Sequence, residues 1–217
     1  MSKTEKSSAL TTDLHGPVAI IRFNRSAERN PLSISTLNEL RASFSTLAAA
    51  CSNVESIIFT GTEDVFASGA DIRELTSLDS ASAREFAKMG QQLFQTIASA
   101  GQVTIAAVNG YCMGGALDLA LACDIRVASS NAFFSHPGAR LGIITGWGGT
   151  QRLPRIIGKA RALEFFATAR RVSSQEALQL GLVTQIHDPV LESALALAST
   201  ASKKKTPNRS SAPGIEL

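Results

Sequence analysis

Two short, glycine-bearing stretches of this chain combine residue types that could do chemistry on a polar oxygen. One is VNGYCMGGALDLALACDI, residues 108–125. The apolar run TIAAV (104–108) reads as a buried strand that breaks at Asn109-Gly110. A second break, Gly114-Gly115, opens into ALDLALA, which has the composition and spacing of a packed helix. A strand, a glycine turn and a helix leave the first backbone N–H groups of that helix unpaired. With the positive end of the helix dipole, such donors suit an anion or a developing oxyanion. Asp118 falls in the first turn. It is either a catalytic carboxylate or a charge that complements the dipole, and Gly-Gly alone is equally at home in any tight turn. The other stretch is TEDVFASGADIREL, residues 62–75, in which Phe66 is followed only by Ala67, Ser68, Gly69 and Ala70. Small side chains let a ligand approach the backbone. Asp71 and Arg73 follow where a short helix can start, although a surface loop would look the same.

The elements that must position these residues alternate in type. VAIIRFNR (18–25) and SIIFTG (56–61) read as strands. Between them Asn30-Pro31 breaks the chain, and Ser35 is placed to cap a helix over 37–50. A second helix over 82–100 has Phe86, Met89, Leu93, Phe94 and Ile97 at helical spacing. Strands follow at 125–129 and 132–136. While the chain stays extended, Phe134, His136 and Gly138 share a parity and face one way. GWGGTQRLPRIIG (146–158) is a glycine-rich loop entering a helix, but it lacks the GK[ST] ending of a nucleotide-binding loop. KARALEFFATA (159–169) is helical. Ser173 with Glu176 makes a capping box for QEALQLG, which Gly181 stops. PVLESALALASTA (189–201) is a last amphipathic segment. Strands alternating with helices, each strand an apolar run, predict an α/β fold with largely parallel pairing.

The whole chain narrows the function class. At 217 residues it can bury a real core. With 44% hydrophobic and 18% charged residues it is too apolar to be disordered throughout. The formal charge is only +3, and a lysine run at 203–205 supplies much of the excess, so nucleic acid is not an expected partner. The N-terminus has no apolar core of a secretory signal, and no window reaches eighteen apolar residues. No membrane partner is expected, and the cytoplasm is the simplest compartment. Cys51, Cys112 and Cys123 have no CxxC spacing and read as small packing residues.

Two backbone-donor loops about forty-five residues apart, each leading into a helix, resemble the crotonase, or enoyl-CoA hydratase/isomerase, superfamily. The likeness runs from about residue 14 to 195. VAIIRFNRSAERNPLS is similar to the family's first strand and turn, FASGADIREL to its first oxyanion loop, and VNGYCMGGALDLALACDI to its second. LGIITGWGGTQRLPRIIGKARALE and RRVSSQEALQLGLV match the segments that follow. The resemblance implies a spiral of repeated ββα units with an acyl-CoA thioester, the substrate, bound between the loops and no separate cofactor or metal. It implies that the N–H groups of Ala70 and Gly115 hold the thioester oxygen and that Asp118 is the acid/base carboxylate. Ala67, Ser68, Gly69, Ala70, Asp71, Ile72 and Arg73 would lie along CoA, with Arg73 a phosphate partner or an ordinary solvated charge. Gly114, Gly115, His136, Gly138 and Trp147 complete the expected site.

Departures from the family pattern matter. Hydratases of this family carry two glutamates. The first aligns with Asp118, one methylene shorter, and the second with Gly138, which has no side chain. His136 is either a substitute base or a hydrogen-bonded structural histidine, and Trp147 either walls the acyl pocket or packs. The expected reaction is of hydratase type. The alternatives are an enoyl- or dienoyl-CoA isomerase, or a CoA-thioester-binding protein without hydratase activity. The expected organisation is a flexible N-terminus (1–13), a spiral core (14–188), a C-terminal helix as a truncated helical region (189–201) and a disordered tail (202–217). A homo-oligomer, trimer or hexamer, is expected.

Overall fold

The computed structural model describes residues 8–49 and 53–201. The chain begins with a hairpin: β1 (Leu10–His15) lies antiparallel to β2 (Val18–Phe23), with Leu10 opposite Phe23. Residues 10–13 are therefore strand, where the sequence suggested a flexible segment. Only Leu10 of β1 is buried. Backbone pairing at the sheet edge makes this strand, so its side chains carry no apolar alternation that could announce it.

From β2 onward the chain repeats one pattern, a long strand, a short strand and then helix. β2 leads to β3 (Pro31–Leu32) and α1 (Ile34–Ala48). Next come β4 (Ser56–Thr60), β5 (Val65–Ala67), β6 (Gly69–Ala70), α2 (Ile72–Leu75) and α3 (Ser80–Ala98). The third turn is β7 (Val103–Val108), β8 (Tyr111–Met113) and α4 (Gly115–Ala122). The fourth is β9 (Ile125–Ala128), β10 (Phe133–Ser135), a 3-10 turn at Pro137–Leu141, α5 (Gly149–Ile157), α6 (Lys159–Thr168), β11 (Val172–Ser173) and α7 (Ser174–Gln179). The described chain closes with β12 (Gln185–Ile186) and α8 (Val190–Ala201). The long strands form one sheet in the order β1-β2-β4-β7-β9-β12, parallel beyond the first pair. The short strands form a second, β11-β10-β8-β5, and β3 pairs with β6. This is the expected α/β spiral of ββα units.

Parallel strands covered on both faces must be apolar on both, and period 2 divides their side chains between two cores. Ala19, Ile21 and Phe23 of β2 join the main core with Phe59, Phe66 and Phe94. Val18 and Ile20 face a smaller core with Ile58, Ile105 and Val127, closed by Val190, Ala194 and Ala198 of α8. α4 runs through the middle with all eight residues buried, and every one of them except Asp118 is apolar or glycine.

Helix starts follow local hydrogen bonding. α1 is capped by Ser33, whose side chain accepts from the Thr36 amide, and not by Ser35. Ser33, Ser35 and Thr36 are equally good cap types. The pairing of β3 with β6 keeps the chain extended up to Ser33 and decides among them. α3 starts in a reciprocal box between Asp79 and Ser82. Ser173 caps α7 by accepting from the Glu176 amide, but the Glu176 carboxylate pairs with Arg170 rather than closing the expected box. Gly181 follows the helix end with φ +74°. β10 stops at Ser135, because Pro137 starts the 3-10 turn. Gly138 thus leaves the strand parity it was expected to share with Phe134 and His136.

Candidate active site

The two glycine stretches meet backbone to backbone. Asn109 pins the β7–β8 turn to the β4–β5 connection: its Oδ1 accepts from the Gly61 amide at 2.9 Å and its Nδ2 donates to the Glu63 carbonyl at 2.8 Å. Gly114, at φ +53°, turns the chain from β8 into α4, where only a residue without a Cβ is unstrained. Its amide donates to the Ser135 carbonyl at 2.9 Å, and it has no side chain to cap the helix. The first amides of α4, Gly115 among them, have no partner within the helix. Gly69, at φ +89°, lies against this turn, and a Cβ there would sit 2.6 Å from the Met113 carbonyl oxygen and 2.9 Å from the Gly115 nitrogen. The Ala70 segment and the head of α4 therefore share one wall.

That wall bounds a cavity of about 260 Å³. Of the residues expected at the site, Ser68, Ala70, Ile72, Gly114, Gly115, His136, Gly138 and Trp147 line it, and Leu75, Leu78, Phe86, Ile143 and Ile144 make it apolar. Ala67, Gly69, Asp71, Arg73 and Asp118 are not on its surface. Ala67 is fully buried in β5. Asp71 caps α2, and its carboxylate also accepts from the exposed Arg73 guanidinium at 3.0 and 2.7 Å. A second hollow lies between β12 and α8 beside His187 and holds none of the turn residues.

Asp118 lies behind the wall, 0% exposed. Its Oδ2 accepts from the Thr145 hydroxyl, and Oδ1 lies 3.3 Å from His136 Nε2. Thr145 and His136 both line the cavity. The imidazole sits against Phe165 and Phe166, with ring centroids 6.2 and 5.0 Å away. Gly149, the first residue of α5, lets the carboxylate approach that helix start; a Cβ there would be 2.1 Å from Oδ1. α5 also carries Arg152, which donates to the Trp147 carbonyl at 3.1 Å. Burial lowers the Arg152 pKa, and the charge of Asp118 acts against that shift. Sequence reasoning did not single out Thr145. Within LGIITGW it has no distinguishing neighbour, and only the fold brings it to a carboxylate 27 residues away.

Trp147 both lines the cavity and packs. Its indole fills the space a Cβ would need at Gly90 (2.3 Å) and at Gly115 (2.2 Å), and its N–H donates to the Phe86 carbonyl at 3.3 Å. Gly115 is thus minimal for a packing reason. Gly138 is equally constrained: a Cβ would lie 2.5 Å from the Ile143 carbonyl oxygen, across a turn closed by the Ile143 amide donating to Gly138 at 3.0 Å. Cys112 and Cys123 are buried, and burial pushes both thiols up, so neither supplies a thiolate. Cys51 lies outside the described residues. Among the described residues no helix is long and apolar enough to cross a membrane.

A parallel ββα spiral with two glycine turns converging on one apolar cavity defines a recognisable class of protein. Residues 13–210 match the family model described as enoyl-CoA hydratase/isomerase. The chain is 39% identical over 175 residues to a short-chain-enoyl-CoA hydratase of Clostridium acetobutylicum, covering 80% of this chain and 67% of that one. It is 40% identical over 173 residues to a crotonyl-CoA hydratase of Syntrophomonas wolfei, covering 79% and 66%. It spans about two thirds of the length of these relatives. The crystal structure of an enoyl-CoA hydratase from Thermoplasma volcanium superposes with a TM-score of 0.87 at 31% identity, covering 92% of this chain and 79% of that one. The chain belongs to the enoyl-CoA hydratase/isomerase family.

Proposed function

We propose that this protein acts on acyl-CoA thioesters as an enoyl-CoA hydratase or isomerase. The observation that carries the reading is the contact of Gly69 with the head of α4, which puts Ala70 and Gly115 on one wall of an apolar cavity. The thioester oxygen takes both amide N–H groups, and the acyl chain runs toward Leu75, Leu78 and Phe86. Addition to the double bond or proton removal beside the thioester puts negative charge on that oxygen. Each fixed donor there contributes roughly 10²–10³ in rate. The segment from Ala67 to Arg73 follows the CoA moiety, and the exposed Arg73 would share its guanidinium between Asp71 and a phosphate. Asp118 is the carboxylate of the acid/base system, and the CoA thioester is substrate, with no further cofactor.

Gly138 favours a second reading. With one carboxylate and no partner, moving a proton between carbons is chemically easier than orienting water, so isomerisation of enoyl- or dienoyl-CoA is the alternative, followed by CoA-thioester binding without hydratase activity. The protein works as a homo-oligomer, trimer or hexamer. The test is a panel of 2-enoyl-, 3-enoyl- and dienoyl-CoA thioesters with product identification, alongside calorimetric binding of butyryl-CoA. Turnover of any of the three supports an enzyme, and binding without turnover selects the binding protein. The absence of both binding and turnover refutes the acyl-CoA reading.

A further inference from the structure

Asp118 and His136 form a pair whose order, counted from the cavity, is the reverse of what a carboxylate acid/base would need. Asp118 is absent from the cavity wall and His136 is on it. One carboxylate oxygen accepts the Thr145 hydroxyl, and the other looks toward the imidazole. His136 Nε2 and Asp118 Oδ1 are both sealed from solvent without a hydrogen bond, 3.3 Å apart, where a small ring rotation joins them. A histidine kept only for structure would have that buried nitrogen satisfied, since an orphaned buried polar atom costs about 1–3 kcal/mol. No carboxylate enters from the other side either, because the Ile143 carbonyl occupies the place of a side chain at Gly138.

We propose that His136 is the group that exchanges protons with the acyl chain, and that Asp118 is a positioning residue acting through it. The inference rests on the acyl-CoA reading of the cavity. The imidazole nitrogen turned away from Asp118 removes a proton from the carbon next to the thioester. That C–H bond breaks, an N–H bond forms, and the electron pair moves onto the thioester oxygen held by Ala70 and Gly115. Asp118 orients the ring and stabilises the imidazolium while it exists. Return of the proton to the same carbon gives exchange, and delivery to the γ-carbon of a 3-enoyl chain shifts the double bond. Nothing is consumed in either case. In hydration the same nitrogen takes the proton of the adding water and gives it to the α-carbon.

The experiment follows α-proton exchange of butyryl-CoA in D₂O by NMR, with calorimetric binding of the same thioester, for the parent, His136→Gln, His136→Ala and Asp118→Asn. Expected is a fall in exchange of about 10²–10⁴-fold in His136→Gln with binding unchanged, the usual range for a general acid/base. Asp118→Asn loses at least about tenfold, also with binding unchanged. Added imidazole restores part of the rate to His136→Ala and none to Asp118→Asn. In the unmodified protein, the ¹⁵N resonances of the His136 ring shift when butyryl-CoA binds, a readout that needs no variant to fold. Parental exchange in His136→Gln, or ring resonances indifferent to butyryl-CoA, overturns the proposal while leaving the acyl-CoA reading intact. A parent that neither binds nor exchanges butyryl-CoA brings down that reading itself.

Discussion

Alignment with two-glutamate hydratases invites an obvious repair, Gly138→Glu, to restore a second carboxylate. The structure predicts that the repair damages the protein before it can help. A Cβ at residue 138 would lie 2.5 Å from the Ile143 carbonyl oxygen, well short of the 3.4 Å at which ordinary contact begins. The atom in the way is backbone, so no rotamer change relieves it. The carbonyl has to retreat, and the 3.0 Å bond from the Ile143 amide to the Gly138 carbonyl spans the same turn. Overpacking of this kind costs about 1–3 kcal/mol, and a lost backbone bond adds roughly 0.5–1.5. A total of about 1.5–4.5 kcal/mol, at about 2–4 °C per kcal/mol for a chain of this size, lowers Tm by about 3–18 °C. The control is Gly138→Ala, which adds the Cβ without the carboxylate. Both variants should lose similar stability by calorimetric melting, and neither should gain hydration of crotonyl-CoA. An alanine variant melting within about 1 °C of the parent would refute the steric argument. So would a glutamate variant that is stable and faster in hydration.

Gly115→Ala keeps the amide but drives a Cβ toward the Trp147 ring at 2.2 Å, so it should cost about 1–3 kcal/mol in urea unfolding. Gly115→Pro adds the same bulk and removes the N–H at the first helical position, which proline tolerates. If that amide holds the thioester oxygen, turnover should fall by roughly 10²–10³ relative to the alanine variant, and equal rates for the two would place the oxygen elsewhere. Hydrogen bonds from the Ser82 hydroxyl and amide hold the Asp79 carboxyl below its ordinary value of 3.8. Its contribution to capping α3 is therefore complete above that value and disappears as pH falls through the lower folded value. Asp79→Asn should flatten that part of the acid stability curve and leave the neutral-pH shape unchanged. Light scattering at micromolar concentration should give a trimer or hexamer, and a stable monomer would count against self-association.

What the sequence disclosed and what it withheld have separate physical causes. Runs such as TIAAV and ALDLALA are legible because elements buried on every side are apolar at nearly every position, Thr104 and Asp118 being the polar exceptions, and α4 and β7 are buried that way. Glycine turns were legible because Gly69 and Gly114 sit at positive φ, where other residues are strained. β1 was not, since a backbone-paired edge strand with one buried residue leaves no pattern. The start of α1 was misplaced because three hydroxyl residues compete for one cap, and a distant strand pairing chooses between them. At the site, the local pattern singled out Asp118 and the small residues around Ala70 as candidates. It could not rank Asp118 and His136 by distance from the cavity, nor find Thr145, because those relations join segments 18 to 27 residues apart.

Residues 136–147 explain why those relations go together. One short segment carries His136, Gly138, Thr145 and Trp147, all on the cavity wall. It is fastened at four points: the Ile143–Gly138 turn, the Thr145 hydroxyl on Asp118, the Trp147 N–H on the Phe86 carbonyl, and the Gln91 amide on the Gly146 carbonyl at 2.8 Å. The turn that brings Ile143 over Gly138 leaves no space for a side chain there. Two residues further on, the chain delivers Thr145 to the carboxylate and leaves its second oxygen to the imidazole. Absence of a second carboxylate and presence of an Asp–His pair are then consequences of the same backbone path. If His136 is the group that meets the substrate, as proposed, changing the chemistry would require rebuilding the loop from Pro137 to Gly146, because neither α4 nor Asp118 alone sets what lines the cavity.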